Sequence, residues 1–324
     1  MIGIRSKNTN AAYNLATEEY LLRHTSDDLF FLYVNQPSII VGKHQNALAE
    51  INIDYTSENK ISVHRRLSGG GTVYHDLNNL NFCFIKSGKK TQLVNFAEYS
   101  KPIISALKNL GIEAHFGKRH DIQINHKKIS GNASHVFKNR VMHHGTLLFD
   151  SDLDVLNNAL KTNPLQFKDK AVKSVRSEVC NIQPYTNNLD FKSFSNYIFE
   201  YLLNYFPGSK ESHISAEANT LINSLVKEKY NTWNWNFGYS PDYLFKKRIK
   251  LEDGTRCYNE TKITKGVITE CHLKNTNSIN QELLDQISKS IIGLEFDVNK
   301  LNIFFSELIY ANISKSDLLT LFRP

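Results

Sequence analysis

The 324-residue chain has only four cysteines, Cys83, Cys180, Cys257 and Cys271, and none of them form a C-x-x-C pair. The usual zinc and redox signatures are therefore missing, and so few scattered thiols fit a reducing compartment. No apolar run approaches the roughly 18 residues of a membrane helix. The amino-terminal "MIGIRSKNTN" lacks the apolar stretch of a secretion signal. A cytoplasmic protein without membrane contact is the expectation. There is no Lys/Arg-rich tail, no internal repeat and no low-complexity tract. Thirty-nine Lys and Arg against 32 Asp and Glu give a net charge of +7, spread along the chain. Spread charge is first of all a solvated surface, but its sign favours anionic or acidic partners. What is present is ordinary: 41% apolar and 22% charged residues, enough for a core at this length without disulfide or metal staples.

Periodicity predicts mixed α and β structure. "NLATEEYLLRH" (14–24) reads as a helix, with Asn8 to Asn10 as caps. "LFFLYV" (29–34), "SIIVGK" (38–43) and "LNFCFI" (80–85) read as strands. "FAEYSKPIISALKNLG" (96–111) is a helix stopped by Gly111, with Pro102 in the first turn or at a kink. "DIQIN" (121–125), "KKISG" (127–131) and "VMHHGTLLF" (141–149) read as adjacent antiparallel strands. Helices return at 194–206 and 214–230. Punctuation by Gly238, Ser240 and Pro241 places a boundary after residue 244. Strands, then the helices "LLDQISKSIIG", "LNIFFSELI" and "KSDLLTLF", follow it. An α+β large domain (1–244) with a small α+β domain (245–324) is the expected organisation.

Most of the chemistry concentrates in "RRLSGGGTVYHD" (65–76). Without Cβ atoms, the backbone N–H groups of Gly69, Gly70 and Gly71 are free to close on an anion. Arg65 or Arg66 supplies a guanidinium fork. A lone Gly-Gly-Gly is more often a flexible turn. Walker A is excluded, because no G-x-x-x-x-G-K-[ST] occurs. The dinucleotide fingerprint fails too, with Tyr74 where its third glycine belongs. Other segments add weight. Lys127 and Lys128 precede a second small-residue turn, Ser130-Gly131-Asn132-Ala133. Side chains alternate on a strand, so only one of His143 and His144 faces a given cleft, which argues against a two-histidine metal site. "KSVRSEVCNI" (173–182) is a basic, Ser-rich segment able to close over an anion.

In that order, "RRLSGGGTVYHD", "KKISGNA", "HHGTLLFDSDL" and "KSVRSEVCNI" resemble the lipoate–protein ligase family. "NLATEEYLL", "QPSIIVGKHQN" and "TWNWNFGYSP" match its supporting segments, so the resemblance covers nearly the whole chain. It implies a biotin/lipoate protein ligase-like mixed sheet flanked by helices, with a small C-terminal α+β domain. It also implies two steps: lipoate and ATP give lipoyl-AMP and pyrophosphate, then a lysine amine of a lipoyl domain displaces AMP. ATP and magnesium (Mg2+) are the implied cofactors; metal ligands are not assigned. Lys128 matches the family's catalytic lysine, acting electrostatically. Arg66, Ser68, Gly69, Gly70, Gly71, Thr72 and Val73 are expected to hold carboxylate and phosphate. Tyr74 is expected to line the lipoyl tunnel, and His75, His144 and Gly145 to lie near it. Ser130, Gly131, Asn132 and Ala133 complete the adenylate wall. Asp121 matches an acidic element able to hold Lys128, magnesium or the incoming amine. Implied partners are the lipoyl domains of 2-oxoacid dehydrogenase complexes and the glycine cleavage H protein, met by a monomer.

Two departures stand out. His135 occupies a place where the family carries arginine, leaving Lys138 or Arg140 to substitute. Asn78 stands where glycine is common, in a turn expected to need a left-handed residue. A lipoyl or octanoyl transferase of the same fold is the main alternative. No cysteine falls in the quoted motifs as its nucleophile, and Cys83 and Cys180 read as core residues. A nucleic-acid binder would need a stacking platform that is not evident.

Overall fold

Alternation along "LFFLYV" sets the central layer. In the computed structural model, which describes residues 1–88, 94–276, 279–306 and 313–324, strand Leu29–Val34 lies inside a six-stranded mixed sheet. The order is Asn132–Phe137, Arg140–Leu148, Asn79–Ser87, Leu29–Val34, Ile2–Arg5, Lys210–Ser212. The first three junctions are antiparallel and the last two parallel. Phe30 and Leu32 pack with Ile103, Ala106, Phe194 and Phe199 of helices Phe96–Asn109 and Phe191–Tyr205. Leu29, Phe31 and Tyr33 turn the other way, onto Leu21 and Leu22 of helix Ala11–His24. Covering both faces explains why this strand is continuously apolar. Each fully buried phenylalanine contributes about 1.5–3 kcal/mol.

Asn10 caps helix Ala11–His24 by accepting from the Tyr13 N–H at 3.0 Å, worth about 1 kcal/mol. Pro102 sits in the second turn of its helix, not the first. Gly111 follows the helix end at φ +79, the left-handed stop that its position implied. Asn78 is not left-handed: its N–H donates to Asp76 Oδ1 at 3.0 Å, and this side-chain turn replaces the positive φ.

Two local expectations change. The second small-residue turn narrows to Gly131, because Asn132–Phe137 is a strand paired with Arg140–Leu148. Strands Ile122–Ile124 and Lys127–Ser130 do pair, in a three-stranded sheet with His115–Phe116. "VMHHGTLLF" belongs instead to the six-stranded sheet.

An antiparallel four-stranded sheet forms the C-terminal part, in the order Phe167–Asp169, Tyr243–Lys250, Arg256–Thr264, Val267–Asn275. Its core also includes residues of helices Gln281–Ser290, Val298–Ser306 and Lys315–Phe322. Its second strand starts at Tyr243, two residues before the expected boundary. The end of "LNIFFSELI", from 307 on, lies outside the described residues.

Candidate active site

Strand Ser38–Val41 lies between Ser62–Arg65, parallel to it, and Val73–His75, antiparallel. The glycine loop therefore joins the two outer strands across the end of the middle one. A Cβ on Gly42 would stand 2.0 Å from the Gly70 carbonyl oxygen. Gly70 itself adopts φ +88. Only glycine at 42 and a left-handed residue at 70 let the loop fold back this closely.

The two neighbouring arginines part ways. Arg65 is fully buried and donates to the carbonyls of Gly42, Lys43, Gln45, Trp235 and Asn236 and to Ser240 Oγ. It is a structural knot and does not reach the site. Arg66 donates to the carbonyls of Ile40, Gly69 and Gly71 and to Ser68 Oγ, at 2.7–3.0 Å. Burial pushes its guanidinium down to about 10, so it stays charged. The carbonyls of Gly69 and Gly71 point at Arg66. In a planar trans peptide the N–H opposes the C=O, so the N–H groups of Gly70 and Thr72 point away from it. Arg66 is thus less a free fork than the group that orients the loop's dipoles.

A buried chain backs this wall. Ser68 Oγ is 2.6 Å from His144 Nε2, and His144 Nδ1 is 2.9 Å from Glu18 Oε2. The Tyr33 hydroxyl donates to Glu18 Oε1 at 3.0 Å. On the opposite side, Lys128 is held by its backbone: its N–H donates to the Glu178 carbonyl, and its carbonyl accepts from Cys180 N–H. Burial pushes the Lys128 ammonium down, Asp121 pulls it back up, and Arg66 and Arg119 lower it further. No carboxylate lies within 4.0 Å of Lys128 among the described residues. Asp121 therefore acts on it through the field rather than an ion pair. Asp121 Oδ2 accepts from Gln123, while Oδ1 is buried and has no partner.

These groups line a cavity of about 340 Å³. Arg66, Gly70, Gly71, Thr72, Val73 and His75 form one wall. Asp121, Lys128, Gly131, Asn132, Ala133, His144 and Gly145 form the other. A second cavity of about 560 Å³ shares Thr72, Val73, Lys128, Gly131 and Thr146 with it. The end holding Leu15, Tyr33, Ile40, His75 and Asn81 is not shared and is buried throughout. Lys128 stands at the crossing, the closed end on one side and the larger cavity on the other.

Four expected residues lie elsewhere. Tyr74 alternates away from Val73 and His75 and lines the second cavity, not the first. Ser68 and Ser130 are buried behind the walls, and Gly69 offers only its carbonyl to Arg66. His143 likewise faces away, stacking on Tyr99, so one histidine of the pair reaches the cavity, as alternation required. Arg140 bonds Thr25 and the Asp27 carbonyl, and neither it nor Lys138 lines the cavities. Cys180 is only partly buried at the core edge, and Cys83 is fully buried.

Sequence reasoning did not single out Glu18, Gln45 or Ser174. Gln45 Oε1 accepts from Gly42 N–H and the Thr72 hydroxyl. Ser174 Oγ accepts from Thr72 N–H at 2.9 Å and from Gln45 Nε2 at 3.0 Å. Lys173, Ser174, Val175 and Ser177 line both cavities, so the basic segment does lie across the glycine loop.

Residues 10–203 match the family model described as the lipoyl protein ligase A/B catalytic domain. The chain is 43% identical to lipoate–protein ligase 1 of Staphylococcus aureus over 249 residues, 76% of each chain. It is 36% identical to the lipoate-protein ligase LplJ of Bacillus subtilis over 335 aligned positions, 99% of each chain. A lipoate-protein ligase A structure bound with ATP aligns at TM-score 0.63 and 26% identity, covering 74% of this chain and all of that one. An archaeal bi-partite lipoate protein ligase, studied with its E2 lipoyl domain from Thermoplasma acidophilum, aligns at TM-score 0.62 and 25% identity, covering 74% of this chain and 96% of that one. Fold, ordered motifs and relatives converge: the chain belongs to the lipoate–protein ligase family and is an enzyme of the ligase class.

Proposed function

We propose that this enzyme activates lipoate with ATP and passes the lipoyl group to a lysine of an acceptor lipoyl domain. The observation that carries this reading is Lys128 at the crossing of two cavities, the first running into the buried end of Leu15, Tyr33, Ile40, His75 and Asn81, the second larger. A carboxylate and a triphosphate repel unless positive groups stand between them. The Lys128 ammonium and the outward N–H groups of Gly70 and Thr72 supply that charge where the two cavities meet. A lipoate carboxylate oxygen attacks the α-phosphorus, and pyrophosphate leaves with the electrons of the broken P–O bond. The acceptor amine then attacks the acyl carbon, and AMP departs. Lys128 stabilises the negative charge that builds in both steps. The nucleotide takes the second cavity, against Tyr74, Leu148 and Lys173 to Ser177. Binding there displaces Ser174 from the Thr72 N–H.

Magnesium fits one feature: the buried, unpartnered Asp121 Oδ1. A single carboxylate plus substrate phosphates is a usual magnesium environment, and the ion would neutralise phosphate charge. We assign residues 1–244 to the catalytic part and 245–324 to an accessory part. A cysteine-dependent transferase is disfavoured, since none of the four cysteines lines either cavity.

The test combines protein, lipoate, magnesium-ATP and an apo lipoyl domain, with the acceptor weighed by mass spectrometry. An ATP-dependent lipoyl mass gain is expected. A gain only from preformed lipoyl-AMP, or only from an acylated carrier protein, would overturn the activation step.

A further inference from the structure

The closed end of the first cavity contains one polar atom with no partner at all. His75 is buried, its Nδ1 lies 3.0 Å from Asn35 Nδ2, and its Nε2 has no hydrogen-bond partner although the ring lines the cavity. Its neighbours there are already engaged. The Tyr33 hydroxyl goes to Glu18, Asn81 bonds Asn79 and the Tyr33 carbonyl, and both ring nitrogens of His144 are used.

Two backbone carbonyls decide which His75 nitrogen carries the proton. Asn14 Nδ2 lies 2.8 Å from the Asn8 carbonyl oxygen and 3.2 Å from that of Val34. Carbonyls only accept, so this end of Asn14 is its NH2 group. The same nitrogen lies 2.8 Å from the Asn35 side chain, which must therefore present Oδ1. The other end of Asn35 is then NH2, which only donates. His75 Nδ1 is left to accept, and the ring's proton sits on Nε2. Burial, followed by the charges of Arg66 and His144, pushes the imidazolium down to about 3. The ring stays neutral at physiological pH.

We infer that Asn35, fixed by Asn14, positions His75 as an N–H donor into the closed end, and that this donor selects a substrate tail carrying an acceptor atom. The selectivity rests on the proposed function. With the carboxylate at Lys128, the dithiolane ring of lipoate reaches the closed end. Its sulfurs are weak acceptors, whereas the terminal methyl of octanoate offers none and leaves the N–H unpaired. Asn14 and Asn35 touch no substrate; they are positioning residues.

Imidazole 15N NMR of the full chain reads the tautomer directly, and paired kcat/KM values for lipoate and octanoate read the selectivity. Wild type is expected to show a protonated Nε2 and a bare Nδ1 at His75. In Asn35→Asp the carboxylate accepts, so the proton moves to Nδ1. The lipoate-over-octanoate ratio should then fall about fivefold, the size of one modest hydrogen bond, mostly through KM for lipoate. Asn35→Leu, which buries no charge, should lower the ratio similarly and keeps the test open if the aspartate variant misfolds. A protonated Nδ1 in wild type overturns the inference, as does an unchanged ratio once the tautomer has shifted. A wild-type protein that turns over neither acid overturns the proposed function and the selectivity with it, while the NMR result still judges the positioning.

Discussion

The two sheet-based parts of the chain bury different things. The part around the six-stranded sheet buries Glu18, Glu19, Arg65, Arg66, Asp121 and four histidines, His64, His75, His143 and His144. From Tyr243 onward, the buried polar residues are Thr255, Asn259, Thr261 and Ser288, none of them charged, among the described residues. Removing a charge from water costs several kcal/mol unless partners replace the solvent. A region that only has to fold avoids that cost, and the C-terminal core does so with Phe245, Phe305 and Phe322. The catalytic half accepts it because charge held in low dielectric acts strongly on a reacting anion. Part of what it buries lines the first cavity, as with Arg66, Asp121, His75 and His144, and part, such as Arg65, only holds the fold together.

Three changes would break or sharpen this contrast. The largest effect is expected from Lys128→Ala, which should cut lipoyl transfer on the order of 10³-fold. Lys128 has no carboxylate within 4.0 Å, so its loss should leave the urea midpoint nearly unchanged; a normal rate would remove its assigned role. Phe305→Ala should do the reverse. The ring is buried against Phe322 at 5.6 Å, and its loss should cost about 3–5 kcal/mol of stability. Activity per folded molecule should hold; a matching loss of kcat would erase the contrast. The smallest effect is on pH dependence. Burial foremost holds His75 and His143 at about 3, against an ordinary 6.5. Unfolded chains take up these protons below 6.5 while the folded state refuses them. Stability should therefore be fully present above pH 6.5 and fall as pH drops towards 3, on the order of 1 kcal/mol per pH unit per histidine. Unfolding at pH 7.5, 6 and 5 reads it; a flat profile would mean both rings bind protons in the fold.

What could be read in advance followed a physical rule. The central strand, the long helices and the glycine loop were legible because each has its own local composition. Lys128 and the choice between His143 and His144 followed from order and strand alternation. Alternation also says that Arg65 and Arg66 point opposite ways, but not which one faces the cavity. Glu18 carried a signal that went unused. It sits three residues after Leu15 and four before Leu22, on the apolar stripe of its helix, where a carboxylate needs a buried partner. Ser174 carried none, since its bond to Thr72 spans 102 residues. Strand Phe167–Asp169 is too short, at three residues, to show a period. Tyr74 lines the second cavity rather than the first, a placement that parity against Val73 and His75 could have given and neighbourhood alone could not.

The meeting of Gly42 and Gly70 sets a rule for anyone re-engineering this enzyme. The closed end is walled by side chains, Leu15 and Ile40 among them, and trimming these enlarges it for bulkier acids. The glycine loop beside the crossing closes main chain on main chain, and the Gly70 carbonyl already stands where any side chain at 42 would begin. On the proposed reading, substrate range is editable at the tail, while the loop beside the activation point is fixed by its backbone.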